Sequence, residues 1–244
     1  MNDNTATLGA LLFTAGGGSG PRQDSLVSES RLVVYLNHQQ YAILPCTPSH
    51  VLLLAAGRLA SDGLIASAAD IASLREANGG RTVFVTLSST APSVPVPVPP
   101  ARPKSADTPD LTAPPQPSAI PPERIFALAQ AFARDSELHT RTSATHACYL
   151  SCGDELVFTA EDISRHNAVD KAIGYILLNN LPRNDCLLFT TGRVPLDLVT
   201  KLARTGLPAL ASKSVPTAQA VSFARDHGLR LFCRAWPDSF EQYS

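Results

Sequence analysis

Hydrophobic and polar positions alternate along this chain in two distinct rhythms. Period-two runs at Arg31 to Leu36 and Tyr41 to Leu44 flank Asn37-His38-Gln39-Gln40 and predict a β-hairpin. A helical rhythm follows from about Ser49 to Ala60, with Val51, Leu54, Ala55 and Leu59 as the buried stripe and Ser49 as N-cap. Ser61-Asp62-Gly63 breaks that element; a short helix over Ala68 to Ala77 and a strand over Thr82 to Leu87 are predicted next. Further on, Pro121-Pro122-Glu123 opens a helix to about Asp135 with Ile125, Leu128 and Phe132 inward. A second hairpin pairs Thr145 to Leu150 with Glu155 to Thr159 across Ser151-Cys152-Gly153-Asp154. Val169, Ala172, Ile173, Ile176 and Leu177 then fall on one helical face. Strands at Cys186 to Thr190, Ala209 to Ser212 and Arg230 to Cys233 alternate with helices at Pro195 to Arg204 and Thr217 to His227. That β-α-β-α-β alternation implies an α/β fold with a partly parallel, mixed sheet covered by helices.

Composition divides the chain. Twelve of the twenty prolines lie between Pro92 and Pro122, so residues 88–120 read as a linker without a core. Residues 1–24, running into Gly16-Gly17-Gly18-Ser19-Gly20, read as an unstructured tail. Residues 25–87 form a small N-terminal α+β part and residues 121–244 the larger α/β domain. A formal net charge of −1 gives no reason to expect non-specific nucleic-acid or anionic-membrane binding. No apolar run is long enough for a membrane span, and no basic residue precedes Leu8 to Ala15 as a signal peptide requires. An odd count of five cysteines argues against a disulfide framework and for a reducing cytoplasm.

The densest chemistry lies at Glu161-Asp162-Ile163-Ser164-Arg165-His166-Asn167-Ala168-Val169-Asp170-Lys171, where six of eleven residues are ionisable. The motif sits where a strand hands over to a helix, a junction that suits anions. The turns after the later strands fall on the same edge and add Thr191, Arg193, Lys213, Ser214, Thr217 and Arg234. Singly, Thr217 reads as a helix cap and Arg193 as a surface charge; together the turns read as a cleft for a phosphate or a polar heterocycle. Asp170 and Lys171 read equally well as an exposed pair on a helix, and Asp162 as an N-cap. His146, on the neighbouring strand, could join the cleft. Zinc chemistry of the deaminase type is excluded: no His-x-Glu or Pro-Cys-x-x-Cys run is present.

These residues resemble the FdhD family of formate dehydrogenase accessory sulfurtransferases. The eleven-residue run is similar to that family's signature, with Ser164 where Gly is usual. Thr145-His146-Ala147, Thr191-Gly192-Arg193 and Ser214-Val215-Pro216-Thr217 resemble three further motifs, and Thr47-Pro48 and Ser61-Asp62-Gly63-Leu64-Ile65 extend the likeness into the N-terminal half. The resemblance implies a cytidine-deaminase-like mixed sheet with helices on both faces, without zinc. It implies a cytoplasmic homodimer that binds the molybdenum bis(molybdopterin guanine dinucleotide) cofactor, with GDP as a mimic. It implies sulfur taken from a cysteine desulfurase and delivered to the cofactor of formate dehydrogenase or a related molybdoenzyme. The implied cofactor-binding residues are His146, Asp162, Arg165, His166, Asp170, Lys171, Arg193, Ser214, Thr217 and the segment Phe232, Cys233, Arg234, Ala235, Trp236 and Pro237. Two departures matter. Where the family carries a Cys-x-x-Cys loop, this chain reads Ser88-Ser89-Thr90-Ala91-Pro92. Near the C-terminus, Trp236-Pro237 replaces the family's Gly-Arg. Either sulfur rides on another cysteine, with Cys148 as candidate, or the chain is a cofactor-binding chaperone without sulfur transfer.

Overall fold

The computed structural model describes residues 4–89 and 120–244. Strands β1 (Thr5–Phe13) and β2 (Ser19–Val27) pair antiparallel as a long two-stranded arm. Strands β3 (Ser30–Leu36) and β4 (Gln39–Cys46) form the first expected hairpin, turning at Asn37 and His38, both at positive φ. Helix α1 (Val51–Ser61) follows, then a single 3₁₀ turn at Ala68–Asp70, β5 (Ile71–Ala77) and β6 (Thr82–Leu87). These strands make a four-stranded sheet in the order β4-β3-β6-β5, parallel only between β3 and β6.

After residue 119 come α2 (Pro122–Asp135), α3 (Glu137–Thr142), β7 (His146–Cys152), β8 (Glu155–Asp162) and α4 (Arg165–Leu178). Then β9 (Cys186–Thr190), α5 (Leu196–Arg204), β10 (Ala209–Ser212), α6 (Ala218–Asp226), β11 (Arg230–Cys233) and β12 (Glu241–Gln242) complete the chain. The six-stranded sheet runs β12-β11-β10-β9-β7-β8, parallel across β9, β10 and β11 and antiparallel elsewhere. This is the mixed sheet that the alternation of elements predicts. Its strands β7, β9, β10 and β11 bury alternate residues on both faces. Cys148, Leu150, Cys186, Leu188, Leu210 and Leu231 face one core, shared with α1, α4, α5 and α6. Ala147, Tyr149, Leu187, Phe189, Ala211 and Phe232 face a second core closed by Ile125 and Leu128 of α2. Helices therefore cover both faces.

The larger core does not stop at the N-terminal part: Leu32, Val34, Leu54 and Val83 belong to the same cluster as Val169, Ile173 and Leu210. The weld is a crossing of α1 over α4 at two glycines. A Cβ on Gly57 would stand 1.7 Å from the Asp170 carbonyl oxygen, and one on Gly174 would stand 2.0 Å from that of Leu53. Only the absence of side chains lets the backbones meet.

Three local expectations are corrected. Residues 5–27 form the β1–β2 arm rather than an unstructured tail, because the Gly-rich stretch serves as a turn: Gly17 N–H donates to the Thr14 carbonyl at 3.0 Å and Thr14 N–H to that of Gly18 at 2.9 Å. The helix expected over Ala68 to Ala77 stops after one turn. There Asp70 accepts the Ser67 N–H, and β5 continues as a partner for the exposed edge of β6. Ser49 does not cap α1; the N-cap is His50, in the left-handed region. The proline-rich linker reading falls almost wholly on residues outside those described.

Gly174→Ala is expected to lower stability by about 3 kcal/mol, the upper part of the usual range for overpacking against rigid atoms. Gly16→Ala, with nothing within 4 Å, should be near neutral. Denaturant midpoints at unchanged m-value would check both.

Candidate functional site

The carboxyl ends of β9, β10 and β11 and the first residue of β7 meet along one edge. Their turns are laced together. Ala147 N–H donates to Thr191 Oγ1 at 3.1 Å, and Thr191 N–H to the Ala147 carbonyl at 3.1 Å. Ser212 Oγ donates to the Gly192 carbonyl at 2.8 Å and accepts from the Ser214 N–H at 3.0 Å. Arg234 N–H donates to the Ser214 carbonyl at 3.0 Å and Ala235 N–H to that of Ser212 at 2.9 Å. Val194 and Pro216 form a parallel bridge between the first two turns. Three short turns and the start of β7 thus become one rigid rim.

Against this rim lies a cleft of about 410 Å³, lined by His146, Thr191, Lys213, Ser214, Phe132 and Trp236, with His139 and Ser143 to Thr145 behind them. Lys213 Nζ stands 5.0 Å from the Phe132 ring centroid and 4.9 Å from that of Trp236. An ammonium held between two π faces is fixed in position. Trp236 is 46% exposed, so its indole also offers a wet apolar plate. Thr191 Oγ1 lies 3.5 Å from His146 Nδ1. Burial, then the Arg165 charge, holds His146 below the ordinary histidine pKa. Its imidazole is therefore neutral at pH 7, and the cleft's positive charge comes from Lys213 and Arg165. The Arg165 side chain crosses Gly192: a Cβ there would come within 2.9 Å of Arg165 Cβ and 2.8 Å of its Cδ. The glycine of the Thr-Gly-Arg turn is thus the space that Arg165 occupies.

Among the sequence-predicted residues, His146, Ser214 and Trp236 line this cleft, and Arg165 adjoins it. Lys213 and Thr191, read from the turns but not among the residues the resemblance implies, line it as well. Phe132 read as core, and His139 carried no signal at all. Nothing periodic marks the face of α3 that reaches the rim.

Other predicted residues lie elsewhere. Lys171 and Asp162 are fully buried and paired at 2.7 Å. Lys171 Nζ also donates to Thr47 Oγ1 at 2.8 Å and to the Glu161 carbonyl at 3.1 Å, so its three donors are used within the protein. Asp162 accepts in addition from the Thr47 N–H, the Ser164 N–H and Asn167 Nδ2. Asp170 is equally buried, bidentate to Lys201 Nζ at 2.6 and 2.7 Å and accepting from Ser61 Oγ at 2.6 Å. These three motif residues hold the fold and do not face a ligand; an unpaired charge there would cost too much. Glu161 accepts the Leu138 and His139 N–H groups and so caps α3. Thr217 caps α6, its Oγ1 accepting the Ala220 N–H at 3.2 Å. Phe232, Cys233 and Ala235 are buried in the cores. Arg193, Arg234 and Pro237 are exposed on the rim, Arg234 within 3.4 Å of Glu241. His166 points the other way, towards Asp197 Oδ2 at 3.5 Å, and burial followed by Lys201 lowers its pKa.

Cys148, the candidate substitute sulfur carrier, is corrected too. It is wholly buried in the middle of the sheet, and burial followed by Asp170 pushes its thiol far up. It can be neither a thiolate nor reached by a donor. Among the described residues no three His, Cys, Asp or Glu side chains are grouped to hold a metal, and no helix is long and apolar enough to cross a membrane.

Comparison with known proteins agrees with this architecture. Residues 27–244 match the model of the FdhD/NarQ family. The sulfur carrier protein FdhD of Streptomyces coelicolor is 33% identical, across 88% of this chain and 85% of that protein. The sulfur carrier protein FdhD of Bacillus subtilis is 26% identical, across 100% and 97%. A crystal structure of a formate dehydrogenase accessory protein from Desulfotalea psychrophila superposes with a TM-score of 0.83 at 23% identity, covering 99% of this chain and 97% of that one.

Two outcomes test this division of the motif. Lys171→Ala is expected to cost about 3–5 kcal/mol of stability, because it leaves Asp162 buried without its cation; an unchanged denaturant midpoint would refute the internal role. Stability should also fall as pH is lowered through about 6.5. His146 and His166 are held neutral in the folded state while the unfolded chain takes up protons, so stability present above that pH is lost below it. Thermal melts from pH 7.5 to 5.5 should show a smaller loss for His146→Gln/His166→Gln.

Proposed function

The chain belongs to the FdhD/NarQ family, and from that premise we propose that it is an accessory protein of formate dehydrogenase maturation whose cleft holds a guanine-nucleotide end of the molybdenum cofactor. One observation carries this reading: Lys213 fixed between Phe132 and Trp236, at a rim of hydroxyls and beside Arg165. A purine needs an aromatic plate, and Trp236 supplies one that is half open. Phosphates need cations and hydrogen-bond donors, which Lys213, Arg165, Thr191 and Ser214 supply. At about 410 Å³ the cleft stands at the small end of ligand pockets and suits one nucleotide rather than a whole bis-dinucleotide. The rest of the cofactor would extend past the exposed Arg193 and Arg234.

The metal and pterin would bring the redox and sulfur-binding chemistry when bound. This chain's own part is to bind, orient and present. Neutral His146 can accept or donate one hydrogen bond at the cleft floor without adding charge. Delivery to a client molybdoenzyme, with a cysteine desulfurase as sulfur source, completes the role that the relatives' name of sulfur carrier supports.

Titration calorimetry with GDP tests the reading. Saturable binding is expected. Trp236→Ala should weaken it about tenfold, from the roughly 1–3 kcal/mol of one base–aromatic stack, and Lys213→Ala by a similar factor. No heat with GDP, or full affinity in both variants, would sink it.

A further inference from the structure

The last residue of β7 and the first of β9 are both cysteines. Cys152 and Cys186 stand directly opposite one another in the antiparallel ladder. Directly opposed residues have Cβ atoms about 4.5–5.5 Å apart, close to the separation that a disulfide spans. The Cys186 S–H lies within hydrogen-bonding reach of the Cys152 sulfur and of the Pro182 carbonyl, the latter at 3.4 Å.

Arg124 closes over the pair. Its Nε donates to Ser151 Oγ at 2.9 Å, and its Nη2 donates to the Ser151 carbonyl at 3.1 Å and to the Asp185 carbonyl. Ser151 and Asp185 are the chain neighbours of the two cysteines, so the guanidinium spans both strand ends. Asp154 and Asp185 lie near it too, and leave the pair's surroundings mixed in charge. The two thiols are unequal. Cys186 is 1% exposed, and burial followed by Cys152 pushes its thiol up to about 12. Cys152 is partly exposed, beside the open turn at Gly153. Among the described cysteines it alone is not buried. It is therefore the one an external reagent can reach, with a cation at hand and a neutral thiol facing it.

We propose that Cys152, backed by Cys186, accepts a sulfane sulfur from a persulfide donor, in place of the Cys-x-x-Cys loop that this chain lacks. The inference rests on the sulfur-carrier reading above. In the loading step the Cys152 thiolate attacks the outer sulfur of R–S–SH. The donor's S–S bond breaks, RS⁻ leaves, and Cys152–S–SH forms. In the release step the Cys186 sulfur, losing its proton, attacks the inner sulfur of Cys152–S–SH. The outer sulfur leaves as hydrosulfide, reduced from the sulfane to the sulfide level, while the two cysteines are oxidised to the Cys152–Cys186 disulfide. A low-molecular-weight thiol then restores both thiols by exchange. The pair lies at the edge of the sheet opposite the cleft, since β9 runs from Cys186 to Thr190. At about 3.3 Å per residue that is roughly 13 Å. Loading and nucleotide binding are thus separate events.

The test uses the reduced full-length chain, inorganic polysulfide as the probe, alkylation, and peptide mass spectrometry. One added sulfur atom on Cys152 is expected, lost in Cys152→Ser. Untrapped wild type should release sulfide and lose two hydrogens as the Cys152–Cys186 disulfide forms, whereas Cys186→Ser should keep the persulfide. An adduct on any other cysteine, no adduct, or a disulfide formed without prior sulfur gain overturns the proposal. GDP titration of the same samples separates the two readings. Binding retained in a Cys152→Ser chain shows it folded, and binding without sulfur loading defeats only the cysteine pair. Loading without GDP binding defeats only the cleft.

Discussion

A fully buried ammonium organises this molecule. Lys171 has no water to solvate it, so Asp162, Thr47 and the Glu161 carbonyl must all be in place at once. Thr47 belongs to the N-terminal half and the others to the C-terminal half, more than a hundred residues on. A second buried pair, Asp170 with Lys201, recruits Ser61 in the same way. Both pairs flank the glycine crossing of α1 over α4, where backbone touches backbone. The crossing brings the helices close enough for the short hydroxyl side chains to reach, and the ion pairs make any other register expensive.

The rim of the cleft inherits its position from that weld. α4 starts at Arg165 because Asp162 accepts the Ser164 N–H and ties the strand end down. Arg165 then lies across Gly192, and the neighbouring turns are sewn to each other by Ser212, Ser214 and Thr191. Charge at the cleft is supplied by Lys213 and Arg165, while His146 is kept neutral by burial and by Arg165.

The charged motif was legible as important but not as to why. Six ionisable residues at a strand–helix junction read as a ligand site; half of them, Asp162, Asp170 and Lys171, are spent inside. A sequence lists charges without their partners, and the partners here are distant: Thr47, Ser61 and Lys201. Phe132 escaped for the opposite reason. It reads as ordinary core in its own segment, and only the folding of α2 under the rim sets it against Lys213, which its turn had already marked. Cys152 and Cys186 are thirty-four positions apart and meet through ladder register alone.

From the sequence by itself came the order of strands and helices in the larger domain except α3 and β12, the alternation of its sheet with covering helices, and the edge where its turns gather. Local periodicity and turn chemistry suffice for these because each is decided within a few residues. The tertiary structure decided what the periodicity could not reach. It made a strand of Ile71–Ala77, since an open sheet edge beside β6 needs backbone partners. It made a hairpin of residues 5–27, joined the two halves into one core, and divided the charged motif into internal ties and one half-buried cation, Arg165, beside the cleft. Burial and pairing are properties of neighbours in space, and for a charged side chain they determine whether it serves the fold or a ligand.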